Sequence, residues 1–271
     1  MDDSSSEARS AGRRPSGAIS ERAIEALLDA TYVAADGAGL RDEDRKKARE
    51  LAPLLEEIAR IVERASRKEP FVLVDAAAGK SYVGLFAAKL VLEALGREGR
   101  VVAIEREPRR VEASVRAADR LGLSSRFEGI VADVRSETAF PSSPSLVVAL
   151  HACGEAADAV LEAAIAREAR HLLLVPCCTS HRLRGAELAE AWAAPLGIPK
   201  QAGVRRRFVQ SIVDAERTLR LEAAGYETEA VELVPPSVTP HNLLFRARRV
   251  REPGRMAAAR MRLDALHAVY K

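Results

Sequence analysis

The stretch VDAAAGKSYVGL, Val74 to Leu85, decides how the whole chain is read. Its Gly79-Lys80-Ser81 is how a triphosphate-binding loop ends, and its Asp75-x-x-x-Gly79 is how a loop beneath a different nucleoside ligand begins. A triphosphate loop wraps the β-phosphate in successive backbone N–H groups and needs a glycine five residues before its Gly-Lys pair. That position is Val74, and Asp75 beside it would set a carboxylate against phosphate oxygens. The triphosphate reading is therefore disfavoured, although GIVAD, ending at Asp133, would pass for the magnesium-holding strand such a protein needs.

On the other reading a strand ends in Asp75, a tight turn of small residues follows, and a helix opens near Lys80. The ligand then lies over Ala77, Ala78 and Gly79, whose small side chains permit close approach. The helix N-terminus offers N–H groups and partial positive charge to a carboxylate. Glu105 ends the next strand, VVAIE, where a carboxylate accepts hydrogen bonds from both hydroxyls of a ribose. Asp133 ends the strand after that, GIVAD, where an adenine amino group would lie. Each acid alone is as well explained as a helix N-cap. Three at successive strand tips point to one ligand.

Upstream, apolar residues at Ile24, Leu27 and Leu28, and again at Leu51, Leu54, Leu55, Ile58, Ile61, Val62 and Ala65, mark one face of a helix. They predict a helical extension over 19–68, closed by Glu69-Pro70 because the residue before proline avoids the helical region. Residues 1–18 are Ser-rich, mixed in charge and without an apolar run; they read as a disordered tail and not as an export signal. Downstream, 69–250 reads as one domain in which strands at 71–75, 101–105, 127–132, 146–150 and 171–175 alternate with helices near 81–96, 108–122 and 155–168. That is an α/β, doubly wound parallel sheet, and the unbroken apolar runs LVVAL and HLLLV fit strands covered on both faces. A helix near 206–224 leads to strands at 226–234 and 241–250 with no helix between them, which predicts a C-terminal hairpin with one antiparallel strand. Residues 251–271 close the chain with a surface helix.

The runs DAAAGKSYVG, AIERE, ALHACGEAAD, VPCCTSH and TPHNLLFRARR, together spanning about 71–250, resemble the class I S-adenosylmethionine-dependent methyltransferases. They are most similar to the branch seen in methyltransferase-like protein 25 and the glutathione S-transferase C-terminal-domain-containing protein, and more distantly to a tRNA 2′-O-methyltransferase. The resemblance implies a Rossmann-like sheet of seven strands and S-adenosylmethionine as the cofactor. It also implies Asp75, Ala77, Gly79 and Lys80 beneath the methionine moiety, Glu105 on the ribose and Asp133 on the adenine. The family's first and third loop glycines fall at Ala77 and Ser81. Alanine costs little there if φ stays negative and crowds the donor's path if it does not.

In the strand order that the resemblance implies, His151 and Cys153 face Cys177, Cys178 and His181 across the crevice outside the carboxyl ends of strands four and five. Three readings stand open. The cysteines are small packing residues while His151 bonds a loop carbonyl; or His151, Cys177 and Cys178 line the acceptor pocket, with a histidine orienting or deprotonating the nucleophile; or the cluster binds a metal. Adjacent cysteines on a strand point to opposite faces, unlike the two-residue gap that lets both thiolates reach one zinc, so no metal is assigned. Asn242 either enters the pocket or serves the proline turn before it. The segment 181–204, with Pro195, Gly197, Pro199 and Gly203, reads as a lid.

A chain of 271 residues with 48% apolar and 30% charged residues fits one large domain with an extension. No apolar run approaches the ~18 residues of a membrane span. Three cysteines, an odd number, argue for free thiols and a cytoplasmic setting. The net charge of +3 does not announce nucleic acid; Arg205-Arg206-Arg207 and the arginines from Arg246 to Arg255 are locally basic and read first as solvated surface, with an RNA-binding surface as the alternative. The expectation is a methyltransferase whose acceptor is an RNA, a protein or a small molecule. The alternative is a catalytically degenerate binding module of the same fold that holds RNA or an acidic partner.

Overall fold

The computed structural model describes residues 19–33, 39–239 and 242–268. The tail expected over 1–18 and His241 of the last expected strand lie outside them. Seven strands form one sheet: β1 (Phe71–Ala76), β2 (Gly99–Glu105), β3 (Phe127–Val131), β4 (Leu146–Cys153), β5 (His171–Cys178), β6 (Tyr226–Glu232) and β7 (Leu243–Arg249), in the order β3-β2-β1-β4-β5-β7-β6. β1 to β5 are parallel, and β7 runs antiparallel to both β5 and β6. The expected C-terminal hairpin is thus present, with β7 as its reversed strand.

The helices are α1 (Glu21–Leu28), α2 (Asp42–Arg64), α3 (Tyr82–Ala87), α4 (Pro108–Arg120), α5 (Glu155–Ala166), α6 (Arg184–Ala193), α7 (Ala202–Ala223) and α8 (Pro253–Ala268). α1 and α3 each run on into a wider, π-helical stretch, Asp29–Val33 and Ala88–Glu93. Because successive strand residues face opposite sides, two cores form. Phe71, Leu73, Val101, Ala103, Leu146 and Val148 pack with Leu51, Leu54, Leu55 and Ile58 of α2 and Phe86 of α3. Their alternates Val74, Val102, Ile104, Val147 and Ala149 pack with Val160, Leu161 and Ala164 of α5 and Leu221 of α7.

The N-terminal helices are therefore part of the main core and not an appendage. Leu51, Leu54, Leu55 and Ile58 are each 0% exposed, and burying such side chains contributes about 2 kcal/mol apiece. At the far end of α2, buried Glu57 pairs with Arg246 of β7, which fixes the helix across the sheet. Within the segment expected to be a lid, ELAEAWA lies in α6, and Leu183 and Ala186 bury against Val213 of α7. No helix among the described residues is long and apolar enough to cross a membrane.

Candidate active site

The loop after β1 answers the question its sequence raises. The Ala78 N–H donates to the Ile104 carbonyl at 3.0 Å, and the Gly79 N–H donates to the Glu105 carboxylate at 2.9 Å. These amides are spent on β2, so they cannot wrap a phosphate, and a carboxylate stands where a phosphate would need its donors. The other oxygen of Glu105 accepts the Glu107 N–H at 3.0 Å. A carboxylate has about four lone-pair sites, so Glu105, 7% exposed, keeps acceptor capacity for two ribose hydroxyls.

Three loop residues are left-handed: Ala77 at φ 54°, Gly79 at φ 57° and Ser81 at φ 55°. The backbone demanded of the family's glycines is kept although two are replaced, at a cost of about 1–2 kcal/mol for each non-glycine residue. Ser81 is held there by its hydroxyl, which donates to Asp75 at 2.7 Å. The second Asp75 contact is the Gly84 N–H at 2.9 Å. The carboxylate received by the first turn of α3 is thus the chain's own, and Asp75, 2% exposed, faces the loop's interior. Burial pushes its pKa up to about 7, against the pull of Ser81 and Gly84. Gly84 is required by this arrangement, since a Cβ there would lie 2.5 Å from Ser81 Oγ and 3.1 Å from an Asp75 oxygen.

Outside the strand ends lies a cavity of about 530 Å³, lined among others by Ala77, Glu105, Arg106, Asp133, His151 and Cys153. It is within the size range of small-molecule sites. Asp133 accepts two hydrogen bonds from the Arg135 side chain, at 2.6 and 2.9 Å, and one from the Arg135 N–H; Arg135 holds its carboxyl down at about 2. Lys80 is exposed at the loop's end. Facing the loop from α2, the Lys47 ammonium lies 4.4 Å over the Tyr82 ring, and burial, with Lys80 close by, lowers its pKa.

The family profile described as a methyltransferase domain matches residues 46–185, just over half of the chain. The chain belongs to this methyltransferase family. No curated protein matches the methyltransferase in sequence. Among solved structures, it is similar to a Clostridium thermocellum protein described as an rRNA methylase, at 14% identity and TM-score 0.50, covering 75% of this chain and 97% of that one. It is also similar to the magnesium protoporphyrin IX methyltransferase of Synechocystis PCC 6803 with bound S-adenosylhomocysteine, at 11% identity and TM-score 0.48, covering 85% and 100%. An O-methyltransferase from Bacillus cereus, also in complex with S-adenosylhomocysteine, aligns at 14% identity and TM-score 0.47 over 84% and 91%.

The cluster expected at the tips of strands four and five is only partly assembled in the methyltransferase. Leu150 pairs with Val175 and Ala152 with Pro176, and the register shift between them leaves His151 as a bulge at φ 60°. Bulges re-aim side chains: His151 Nε2 sits 2.8 Å from a carboxylate oxygen of Glu50 on α2. The sulfurs of Cys153 and Cys177 meet at the ends of β4 and β5, their Cα atoms 5.4 Å apart, a spacing that a disulfide can bridge. Both sulfurs lie against the His151 carbonyl, at 3.5 and 3.4 Å. Of Cys178 only the backbone is described, paired with Cys153. His181 is exposed on the turn beyond. Among the described residues no group of three or more His, Cys, Asp or Glu is arranged to hold a metal. Asn242 serves its turn, donating to the Val234 carbonyl at 2.7 Å.

The sequence reading missed Glu50. Its only trace there is an acid between Ala48 and Leu51 on the apolar side of the helix; in the fold it is 7% exposed.

Proposed function

We propose that the methyltransferase uses S-adenosylmethionine, held at the mouth of the 530 Å³ cavity, and belongs to the branch of its first-noted resemblance. The reading rests on Glu105: a buried carboxylate at the β2 tip, facing the cavity, with two lone-pair sites unspent. When bound, the sulfonium supplies an activated methyl group whose transfer asks the protein mainly for positioning. Ala77 and Gly79 give it a small-sided floor, with Lys80 at the loop's end, while Asp75 holds that floor from below through Ser81 and Gly84. Asp133 would receive the adenine amino group, exchanging part of its contact with Arg135. His151 lies on the acceptor side, next to the Cys153–Cys177 pair, with Cys178 following on β5.

The binding-module alternative relies on arginine clusters, and the ion pairing weighs against it. Arg246, Arg248, Arg249, Arg251 and Arg255 each pair with a glutamate. Arg205 is held by Glu190 at 3.0 Å and by the Ile198 carbonyl at 2.9 Å. The Arg246–Arg255 charges are thus largely paired within the fold, whereas Arg206 and Arg207 are exposed on α7.

The acceptor is tested by incubating the full chain with methyl-labelled S-adenosylmethionine and separate RNA, protein and small-molecule fractions of a cell extract. The reading expects label in one fraction. Label in none, together with RNA binding that collapses as salt rises, would favour the binding module.

A further inference from the structure

We infer that Glu50 and His151 form a proton-accepting dyad in which Glu50, carried by the N-terminal helix α2, is the positioning residue. The inference rests on the methyltransferase reading and narrows the acceptor to one that must lose a proton as it is methylated, an O–H, S–H or amide-like N–H group and not a neutral amine or thioether. The two residues lie 101 positions apart in the chain and 2.8 Å apart in the fold. Glu50 has a side chain 10% exposed, against 36% for His151. The buried partner therefore belongs to the scaffold and the more open one to the cavity.

The chemistry follows from the inventory of donors. An ionised carboxylate only accepts, so Nε2 of a neutral His151 carries the ring hydrogen and donates it to Glu50. Nδ1 is left with its lone pair on a side chain that lines the cavity. A histidine whose tautomer is fixed at one nitrogen by a carboxylate is poised to take a proton at the other. The left-handed backbone at His151, φ 60°, is the kind of strain that persists where the surroundings over-determine it. Here the β4 bulge supplies the turn and Glu50 the anchor. In balance, the acceptor's heteroatom gains the methyl carbon, the carbon–sulfur pair stays on sulfur, and the acceptor's proton goes to Nδ1 and thence to water.

The test compares the full-length parent with Glu50→Gln, Glu50→Leu and His151→Gly, the last chosen because glycine adopts the left-handed backbone without strain. Nitrogen-15 NMR of histidine-labelled protein with S-adenosylhomocysteine present should show His151 as the Nε2–H tautomer in the parent and in Glu50→Gln, whose amide oxygen still accepts. In Glu50→Leu the preference should vanish. Turnover with labelled donor and the acceptor fraction should fall about 10–100-fold in Glu50→Leu, and 100-fold or more in His151→Gly, with donor KM unchanged. Added imidazole should restore part of the His151→Gly loss. The dyad is overturned by a hydrogen on Nδ1 in the parent, by a tautomer indifferent to Glu50→Leu, or by unchanged turnover in both variants. Calorimetry with S-adenosylhomocysteine on the same samples keeps the two ideas apart. Heat absent even in the parent ends the donor reading, whereas heat retained throughout with an indifferent tautomer ends only the dyad.

Discussion

The Asp75 carboxylate accepts the Gly84 amide at 2.9 Å from beneath the loop, so the acid that opens the cofactor motif acts through the backbone it holds. With the Ser81 hydroxyl on the same oxygen at 2.7 Å, Asp75 ties β1 to the first turn of α3. Glu105 ties the other side of the loop to β2 through Gly79.

Asp75→Asn should expose this burial as a pH effect. The folded pKa of Asp75 is raised from 3.8 to about 7, so the folded state holds a proton that the unfolded chain has released between those values. The raised pKa therefore contributes stability below pH 4 that is lost as pH rises to 7. Asparagine can still accept the Gly84 N–H and does not titrate. The melting temperature of Asp75→Asn relative to the parent should climb from pH 4 to 7 and then level off. The difference must be read because His171, whose pKa burial lowers to about 4, slopes the parent the other way, losing stability as pH falls below 6.5. A pH-independent difference would show that Asp75 is not desolvated.

Ala77→Gly should stabilise. Releasing a left-handed alanine recovers about 1–2 kcal/mol, and the added freedom of glycine in the unfolded chain returns about 0.4–1. Scanning calorimetry should show a rise of roughly 2 °C with donor affinity equal or better. A fall would mean that the methyl group at φ 54° contributes packing that outweighs its strain.

Leu55→Ala tests whether the N-terminal helices belong to the domain. The side chain is 0% exposed and packs in the same core as β1 and β4, so the loss should be about 2–5 kcal/mol. Urea melts should show one cooperative transition at a lower midpoint. A loss below about 1 kcal/mol, or a separate early transition, would mean that α2 is only loosely docked.

The sheet was legible because its physics is local. LVVAL and HLLLV are buried on both faces, and the acids that close β1 and β2 stand at the strand ends where the chain must turn. The antiparallel β7 was legible because no helix separates it from β6. What stayed hidden depends on contacts between distant segments. The inward turn of Asp75 needs Ser81 and Gly84 to be in place, and Glu50 meets His151 only once α2 lies on the sheet. In the segment read as a lid, Pro195, Gly197 and Pro199 fall between α6 and α7 and mark a helix boundary. The closeness of Cys153 and Cys177, at the ends of two strands 24 positions apart in the chain, is likewise a long-range contact that no cysteine count reveals.

Glu105 carries the central claim, and calorimetry tests it most directly. The parent should release heat on titration with S-adenosylhomocysteine and none with ATP and magnesium. Glu105→Ala, which removes charged hydrogen bonds worth about 1.5–3 kcal/mol each, should weaken the nucleoside by tenfold or more, and Glu105→Gln by less. Tight binding of magnesium–ATP by the parent with no heat from S-adenosylhomocysteine would contradict the account.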